Sequence, residues 1–401
     1  MSEVDPYLEQ LVAWRRHLHQ WPEASFEEHE TVAYIRAELT RRVPGAKLEN
    51  LTSTSLVAVL DTGRPGPKVG IRADIDGLAM TEDRPDLEFA SKVSGRMHGC
   101  GHDGHTATVM TALAWAADHV DDLSGTIVGI FQHAEETPPG GAKEMVATGY
   151  FDDFDYIFGF HYWATLPTGT VDVKDGPASA NSDLWQVHLH GKGAHASLPE
   201  LSVDAVLAAT TLVQQLLQIP ARRIGGLDPA VVTATWLEAG RQQALNVIPP
   251  DASVGGVVRT HSDEVRAQVR AAFKDICAGL EAANPGLTCE LDYLVGYDMT
   301  WNAPAPTQIV RDLATKRWPD KVIADPPMLG GEDFAAFSRT VPSTYVFVGA
   351  GNAEKGFDSS HHSPTFGLDE DAFPIGLQLT IDVLRHAEEL ASAGKEERTA
   401  G

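Results

Sequence analysis

The spacing of apolar and polar residues in the first half of the chain predicts helices and buried strands in alternation. Apolar residues near the N-terminus recur at the three- and four-residue spacing of amphipathic helices. Asp5 followed by Pro6 predicts the cap and first turn of one helix, and Ser25-Phe26-Glu27-Glu28 has the pattern of a capping box for a second helix that reaches Leu39. Short apolar runs bounded by turn residues follow, as in buried α/β strands. These strands are predicted over 55–60, 69–74, 126–132 and 156–160.

The pattern changes near residue 183 and returns near residue 302. In the middle stretch, strands are predicted over 184–190, 230–237, 253–260 and 287–294, with helices over 203–217 and from a Ser262 cap to 283. This order, βαββαβ, is that of a ferredoxin-like unit. Beyond it, a helix over 307–318, a strand over 344–348 and a long helix from about 372 continue the α/β pattern. We therefore expect a two-domain α/β protein: a domain of 1–182 plus 295–401 with a central, mostly parallel sheet, and an inserted domain over 183–294.

The segment Met97–His105 concentrates chemistry in nine residues. It holds one thiol, three imidazoles and a carboxylate, separated by three glycines that let the backbone bend toward a common point. A helix predicted over 106–120 follows directly, and the positive end of its dipole is expected to favour a thiolate at Cys100. Thiolate and imidazole together are ligands that transition metals prefer. The segment is therefore predicted to bind metal.

Further metal-binding side chains follow predicted strands. In an open α/β sheet, ligands bind at the carboxyl edge of the strands, so these side chains are expected to meet. A dinuclear site needs five or six ligands. One carboxylate of the pair Glu135-Glu136 would bind metal and the other, Glu135, would be free to act as a general base. The candidate ligands are Cys100, His102, Glu136, His161 and either His361 or His362.

Composition excludes several classes of partner. The 31 Lys and Arg residues against 56 Asp and Glu residues give a formal charge of −25, which argues against binding to nucleic acid or to an anionic membrane. Three cysteines cannot form a disulfide framework and favour a reducing compartment. The first residues lack the features of a secretory signal, and no apolar run has the length of a membrane span. A cytoplasmic protein is expected.

Eight segments, in order along nearly the whole chain, resemble the amidohydrolase branch of the M20 metallopeptidase family. This branch holds the aminoacylases, hippurate hydrolases and auxin-conjugate hydrolases. The segment 98–105, which contains Cys100, is the one that defines the branch. The matching segments are 72–78, 98–105, 134–136, 159–161, 191–197, 246–249, 332–334 and 362–366.

The resemblance implies roles for individual residues. Glu135 would be the general base, and Asp76 would orient the site by hydrogen bonding. The inserted domain would be a lid and a dimerisation element, whose His195 helps to bind the oxyanion in the active site of the partner subunit. Asn246 and Arg259 would hold the substrate. The implied metal ligands are Cys100, His102, Glu136, His161 and His362, so the resemblance selects His362 over His361.

The expected enzyme is a homodimer with two divalent metal ions per subunit, Zn²⁺ or Mn²⁺, with Ni²⁺ or Co²⁺ also possible. It would hydrolyse N-acyl amino acids to a carboxylic acid and a free amino acid. A dipeptidase or carboxypeptidase would use the same site. A metal-dependent binding protein without catalysis is a further alternative, although such a protein has no use for a carboxylate at Glu135 that does not bind metal. A redox role for Cys100 is disfavoured because no second cysteine lies near it in the sequence.

Overall fold

The computed structural model describes residues 2–400, which divide into two compact units. The first unit contains the chain up to Ala178, the segment Thr300–Pro326 and the chain from Asp333 onward. The second unit contains Ser179–Met299 and the short segment Pro327–Glu332.

Helices and strands alternate through most of the chain. The helices are α1 Asp5–Gln20, α2 His29–Arg42, α3 His102–Asp118, α4 Gly141–Ala147, α5 Ala205–Leu216, α6 Ile219–Arg222, α7 Asp263–Ala283, α8 Pro304–Arg317, α9 Ala335–Thr340, α10 Phe373–Arg385 and α11 Ala387–Ala400. The strands are β1 Lys47–Glu49, β2 Leu56–Asp61, β3 Lys68–Asp74, β4 Thr126–Gln132, β5 Tyr156–Pro167, β6 Val171–Asp172, β7 Gly176–Pro177, β8 Asn181–His190, β9 Ala194–His195, β10 Ala230–Ala239, β11 Val247–Ile248, β12 Asp251–Thr260, β13 Thr288–Tyr297, β14 Trp301–Asn302, β15 Val322–Ile323 and β16 Ser343–Gly351.

The first unit is built on an eight-stranded sheet with the order β1-β2-β4-β3-β5-β16-β6-β15. Its four middle strands, β4, β3, β5 and β16, are mutually parallel, and antiparallel pairs occur only toward its two edges. The expected α/β fold with a large, mostly parallel sheet is therefore confirmed. Because β3 and β4 are parallel and pair Asp74 with Gln132, their carboxyl ends lie at the same level of one edge.

Helix α3 packs at the centre of this unit. Every residue from His102 to Ala116 is buried, and the Leu113 side chain lies so close to β4 that a Cβ atom at Gly129 would be 2.5 Å from it. The chain segment that carries the cysteine and histidine cluster is thus anchored in the core. A rigid element at this position can hold ligand side chains in fixed directions.

Two of the predicted N-terminal caps are wrong. Asp5 is the first residue of α1, whose N-cap is Val4. The predicted capping box at Ser25 does not form: α2 begins at His29, and the Glu23 carboxylate accepts the backbone N–H groups of Glu30 and Thr31. A more distant acidic residue thus satisfies the donors that a capping serine would have satisfied.

Two further predicted elements differ in extent. Strand β5 continues to Pro167, so His161 lies inside the strand and not after its end, because β16 continues to pair alongside it. The predicted long C-terminal helix is interrupted at His386 and forms two helices, α10 and α11.

The second unit is a four-stranded antiparallel sheet with the order β10-β12-β8-β13, and α5 and α7 connect its strands. Its core contains Trp185, Leu212 and Phe273. The predicted cap of α7 is confirmed, since the Ser262 hydroxyl accepts the backbone N–H of Val265 at 3.1 Å.

Among residues 2–400, no helix combines the length and the apolar character that crossing a membrane requires.

Candidate metal centre

The cysteine and histidine cluster lies at the start of α3. Gly101 has a φ of 99°, a conformation that favours glycine, and it turns the chain between Cys100 and the first helical residue, His102. The Cys100 Sγ atom lies 3.4 Å from Nε2 of His161, which β5 supplies from the neighbouring part of the sheet. Both side chains are buried. A thiol and an imidazole from two distant segments therefore meet inside the first unit.

Glu136 connects this cluster to the loop before α10. Its Oε1 atom lies 3.2 Å from Nε2 of His362 and 3.8 Å from Nε2 of His102. His362 has a φ of 59°, and its backbone N–H donates to the carbonyl of Gly99 at 2.9 Å. The loop is thereby fixed directly to the cysteine segment.

His361 points elsewhere. Its Nε2 donates to the backbone carbonyl of Tyr162 at 3.2 Å, and its ring stacks on Trp163 with 4.2 Å between the centroids. Burial, acting with the charges of neighbouring histidines, lowers the pKa of His361 to about 4. Of the two loop histidines, His362 is the one whose ring nitrogen faces Glu136.

The side chains proposed from the sequence as metal ligands fall into three overlapping groups, within each of which the candidate ligand atoms lie within 4.8 Å of one another. All five residues belong to at least one group, and Glu135 belongs to the group of Glu136. The three groups are Cys100 with His102 and His161, Cys100 with Glu136 and His362, and His102 with Glu135 and Glu136.

Asp76 orients two of these residues. Nδ1 of His102 donates to the Asp76 carbonyl at 2.9 Å and lies 3.2 Å from its Oδ1 atom. Because Nδ1 is held by Asp76, Nε2 is the ring nitrogen left to bind a cation, as in many histidines that bind metal. The Oδ2 atom of Asp76 accepts the backbone N–H of Glu136 at 3.1 Å and the hydroxyl of Ser25 at 2.7 Å.

The concentration of carboxylates sets the charge of the site. Burial acts to lower the pKa of His102, but Asp74, Asp76 and Glu136 together raise it to about 10. Burial, reinforced by the charges of Glu136, Glu135 and Asp74, raises the pKa of the Cys100 thiol. Without a bound cation, burial and like charge therefore oppose the thiolate that the helix dipole is expected to favour at Cys100.

The donor set fits divalent metal ions. Among residues 2–400, no group hydrogen-bonds to the buried Nε2 atom of His102, so a cation that displaces its proton can bind there. Sulfur, imidazole nitrogen and carboxylate oxygen surround the same small volume, a mixture typical of transition-metal sites. A bound cation would also deprotonate the Cys100 thiol and compensate the carboxylate charge.

A network of buried hydrogen bonds joins Asp74 and its neighbours next to the candidate ligands. The sequence predicted no role for the residues of this network. The Arg72 guanidinium binds Asp74 at 2.9 Å, the Gln132 amide oxygen at 2.7 Å and Asp333 at 3.0 Å. Asp74 in turn lies 2.7 Å from Nδ1 of His105. The motifs around Arg72 and Asp333 were visible in the sequence, but their mutual contact depends on the order of the strands. These bonds fix the edge of the sheet from which the site is built.

The other residues of the 97–105 segment face the protein interior. Asp103 lies 2.8 Å from both Nε of Arg15 and Nδ1 of His19. His105 accepts the backbone N–H of Tyr162 at its Nε2 atom, at 2.9 Å. His98 is buried, and burial lowers its pKa to about 4.

The remaining predicted site residues belong to the second unit. His195 is exposed on β9, and its Nδ1 accepts the Ser197 hydroxyl at 2.6 Å. Asn246 is close to it, because its carbonyl accepts the backbone N–H of Ala196 and β9 pairs with β11. Arg259 is half-buried on β12, where its guanidinium donates to the backbone carbonyls of Val258 and Asp183.

Known proteins are similar to this chain in both sequence and fold. Residues 70–386 match the model of peptidase family M20/M25/M40. An N-acyl-L-amino acid amidohydrolase of Geobacillus stearothermophilus is 38% identical over 73% of this chain and 78% of its own length, and thermostable carboxypeptidase 1 of Saccharolobus solfataricus is 34% identical over 94% of both chains. The crystal structure of the Bacillus subtilis YxeP protein, a dinuclear metal-binding peptidase from the M20 family, superposes with a TM-score of 0.82 at 30% identity, over 96% of this chain and 99% of that one.

The matches to the carboxypeptidase and to YxeP cover more than nine-tenths of this chain, well beyond the segments that form the site. The expected resemblance is therefore confirmed. The chain belongs to peptidase family M20/M25/M40 and is a hydrolase that acts on amide bonds.

Proposed function

We propose that this enzyme hydrolyses N-acyl amino acids to a carboxylic acid and a free amino acid. The observation that carries the proposal is that two adjacent glutamates lie among the candidate metal ligands. Glu136 faces Cys100 and His362, while Glu135 lies beside it with its carboxylate in the His102 group. These positions support a role for Glu136 in binding a cation and for Glu135 in moving a proton. The amidohydrolase relative from Geobacillus stearothermophilus supports this substrate class.

Two divalent ions per subunit would be held by Cys100, His102, Glu136, His161 and His362. Zn²⁺ and Mn²⁺ suit the mixture of thiolate, imidazole and carboxylate, and Ni²⁺ or Co²⁺ would also be accepted. When bound, such ions polarise a carbonyl group and lower the pKa of water to about 7.

Glu135 is the general base in this mechanism. Its carboxylate takes a proton from the attacking water and returns it to the nitrogen of the leaving amine, which must be protonated to depart. Asp76 acts through its bonds to His102 and Glu136, whose directions it fixes. The burial of Glu135 excludes bulk water and strengthens its interaction with the reacting atoms.

We propose that residues 183–294 form a ferredoxin-like lid and dimerisation domain, inserted into a catalytic domain of 1–182 and 295–401. The βαββαβ order and the antiparallel sheet of the second unit support this proposal. In the homodimer, His195 would bind the oxyanion in the active site of the partner subunit. Asn246 and Arg259 would hold the substrate, and a guanidinium can bind its carboxylate with two hydrogen bonds.

A dipeptidase or carboxypeptidase activity is the second candidate, because the Saccharolobus solfataricus relative is a carboxypeptidase. The same ligands and the same base would serve a peptide substrate. A panel of N-acetyl amino acids, N-benzoyl amino acids and dipeptides separates the two activities. Faster turnover of the dipeptides would favour the second candidate. A binding protein without catalysis is disfavoured by the buried carboxylate of Glu135.

Replacement of Glu135 by glutamine tests the mechanism. Glu135→Gln keeps the shape of the side chain but cannot accept the proton, so kcat is expected to fall by roughly 10²–10⁴-fold. The bound metal, measured by elemental analysis, is expected to stay at the wild-type level because Glu135 is not a ligand. The exposed Glu354→Gln is the matched control and should leave kcat unchanged. Near-normal turnover by Glu135→Gln would refute its role as the base.

A further inference from the structure

Two of the three strained non-glycine residues in the described chain lie at the metal centre. Among residues 2–400, the non-glycine residues with positive φ are Phe26 at 67°, Ala134 at 50° and His362 at 59°. Side chains disfavour this conformation, and it persists only where surrounding contacts impose it. Ala134 is the residue directly before Glu135 and Glu136. Its conformation therefore sets the direction in which the chain presents both glutamates.

One carboxylate binds two of these strained residues. The Oε1 atom of Glu28 accepts the backbone N–H of Ala134 at 2.8 Å and that of Phe26 at 3.0 Å. Glu28 is completely buried, although it lies at the start of α2, where glutamate side chains are usually exposed. The side chain does not cap its own helix, because Glu23 binds the first N–H groups of α2. The carboxylate of Glu28 is therefore directed across 106 residues of sequence toward the Ala134 turn.

The segment around Glu28 also contacts the other side of the turn. The Ser25 hydroxyl donates to Oδ2 of Asp76, the same atom that accepts the backbone N–H of Glu136. The backbone N–H of Gly77 donates to the carbonyl of Glu23 at 2.7 Å. Residues 23–28 thus hold the two segments that carry Asp76 and Glu136.

The surroundings of Glu28 make its charged form unfavourable. Burial, followed by the charge of Asp76, raises the pKa of Glu28 to about 7. A buried carboxylate in this position is unfavourable unless its hydrogen bonds compensate. Its own backbone, the Thr54 side chain and the backbone N–H of Ala134 in the strained turn oppose this rise in pKa.

We infer that Glu28 is a positioning residue, which holds Phe26 and Ala134 in the left-handed conformation and so aims Glu135 and Glu136 at the metal centre. The inference rests on the proposed function of those two glutamates. Glu28 itself does not touch the reacting atoms. Its loss is expected to act on the chemical step, since small misplacements of reacting groups cost large factors in rate.

Two substitutions at this position separate positioning from simple stability. Glu28→Ala removes the acceptor of both N–H groups, whereas Glu28→Gln keeps an acceptor oxygen of the same reach. Glu28→Ala is expected to lower kcat by about 10²-fold with KM nearly unchanged, and Glu28→Gln to recover most of the loss. The neighbouring Glu27→Ala is the matched control, because the Glu27 side chain is exposed and binds Arg96 at the surface.

Hydrogen exchange of the Ala134 amide provides a readout that does not depend on turnover. In Glu28→Ala this amide should exchange at least tenfold faster than in the wild type, while Glu28→Gln and Glu27→Ala keep the slow rate. A folded Glu28→Ala variant with wild-type kcat, or with an unchanged Ala134 exchange rate, overturns the inference. If the wild type cleaves none of the amides in the substrate panel, the proposed function fails, whereas the exchange rates still decide whether Glu28 holds the turn.

A second background covers the case in which Glu28→Ala does not fold. Glycine adopts positive φ without strain, so Ala134→Gly should make the turn less dependent on Glu28. The loss of kcat caused by Glu28→Gln or Glu28→Ala is then expected to be smaller in the Ala134→Gly background. Losses that simply multiply in the double variant would contradict the inference, because independent sites give additive free energies.

Discussion

Single side chains at the centre behave differently from what their local sequence suggests. Cys100 precedes a helix, which favours a thiolate, yet burial and three carboxylates raise the pKa of its thiol. His161 is buried among other histidines, and burial together with His105 and His361 lowers its pKa well below the usual range, so that the neutral ring can bind a cation in place of the Cys100 thiol proton. The same surroundings that disfavour a free thiolate favour a bound divalent ion. Metal binding and the ionisation of Cys100 are therefore expected to be coupled.

Cys100→Ser tests this coupling. A serine hydroxyl is a poor ligand for transition metals, so bound metal and activity should fall together. The loss is expected to exceed the roughly 10–100-fold effect that removal of an outer hydrogen-bond partner has on a metal site. Elemental analysis and initial rates on the same preparation measure both quantities. Cys289→Ser, in the second unit, is the control and should keep both. A Cys100→Ser variant with its full metal content would show that Cys100 is not a ligand.

The sequence predicts a residue's role well when the signal is local. The dense cysteine and histidine segment and the adjacent glutamates are recognisable because each lies within a few residues of the chain. Glu28 gave no such signal: its partner Ala134 is 106 residues away, and the pattern around it resembled a helix cap. Roles that depend on contact between distant segments cannot be read from spacing alone.

Helix starts illustrate how tertiary contacts compete with local patterns. Ser25 fits the capping box better than Ser262 does, since a glutamate follows it by three residues. Nevertheless Ser262 caps α7, while the Ser25 hydroxyl donates to Asp76. The Ser25 hydroxyl donates to the buried Asp76 carboxylate and not to its own helix, and Glu23 accepts the first N–H groups of α2 in its place. A capping pattern next to a functional site is thus weaker evidence for a helix start than the same pattern elsewhere.

Ser262→Ala measures the value of the cap that does form. Removal of an N-cap hydroxyl costs about 1 kcal/mol, which corresponds to about fivefold faster hydrogen exchange at the first turn of α7. The Val265 amide, which donates to Ser262, should show the effect most clearly. Ser262→Thr keeps the hydroxyl and should retain most of the protection. Unchanged exchange in Ser262→Ala would mean that packing alone fixes the start of α7.

At the scale of the whole chain, the sequence predicts the types of element better than their arrangement. Alternating strands and helices indicated a mostly parallel sheet, and the central strands β4, β3, β5 and β16 are parallel. The strand β1 at one edge and the strands β6 and β15 at the other were not predicted, nor was the antiparallel pairing of β2, itself a predicted strand. These short strands carry little apolar periodicity, so their positions depend on the tertiary fold.

Complementation between two inactive chains tests the proposed homodimer. If His195 acts in the active site of the partner subunit, a heterodimer of His195→Ala and Glu135→Gln chains contains one site with both residues intact. Heterodimers isolated with two affinity tags should therefore recover about half of the wild-type activity per dimer, although each parent homodimer is nearly inactive. A heterodimer of Glu135→Gln with a chain that carries both substitutions is the matched control, because neither of its sites retains Glu135. Activity no higher than this control in verified heterodimers would mean that His195 does not act across a subunit interface, and the lid would then have to close on its own chain.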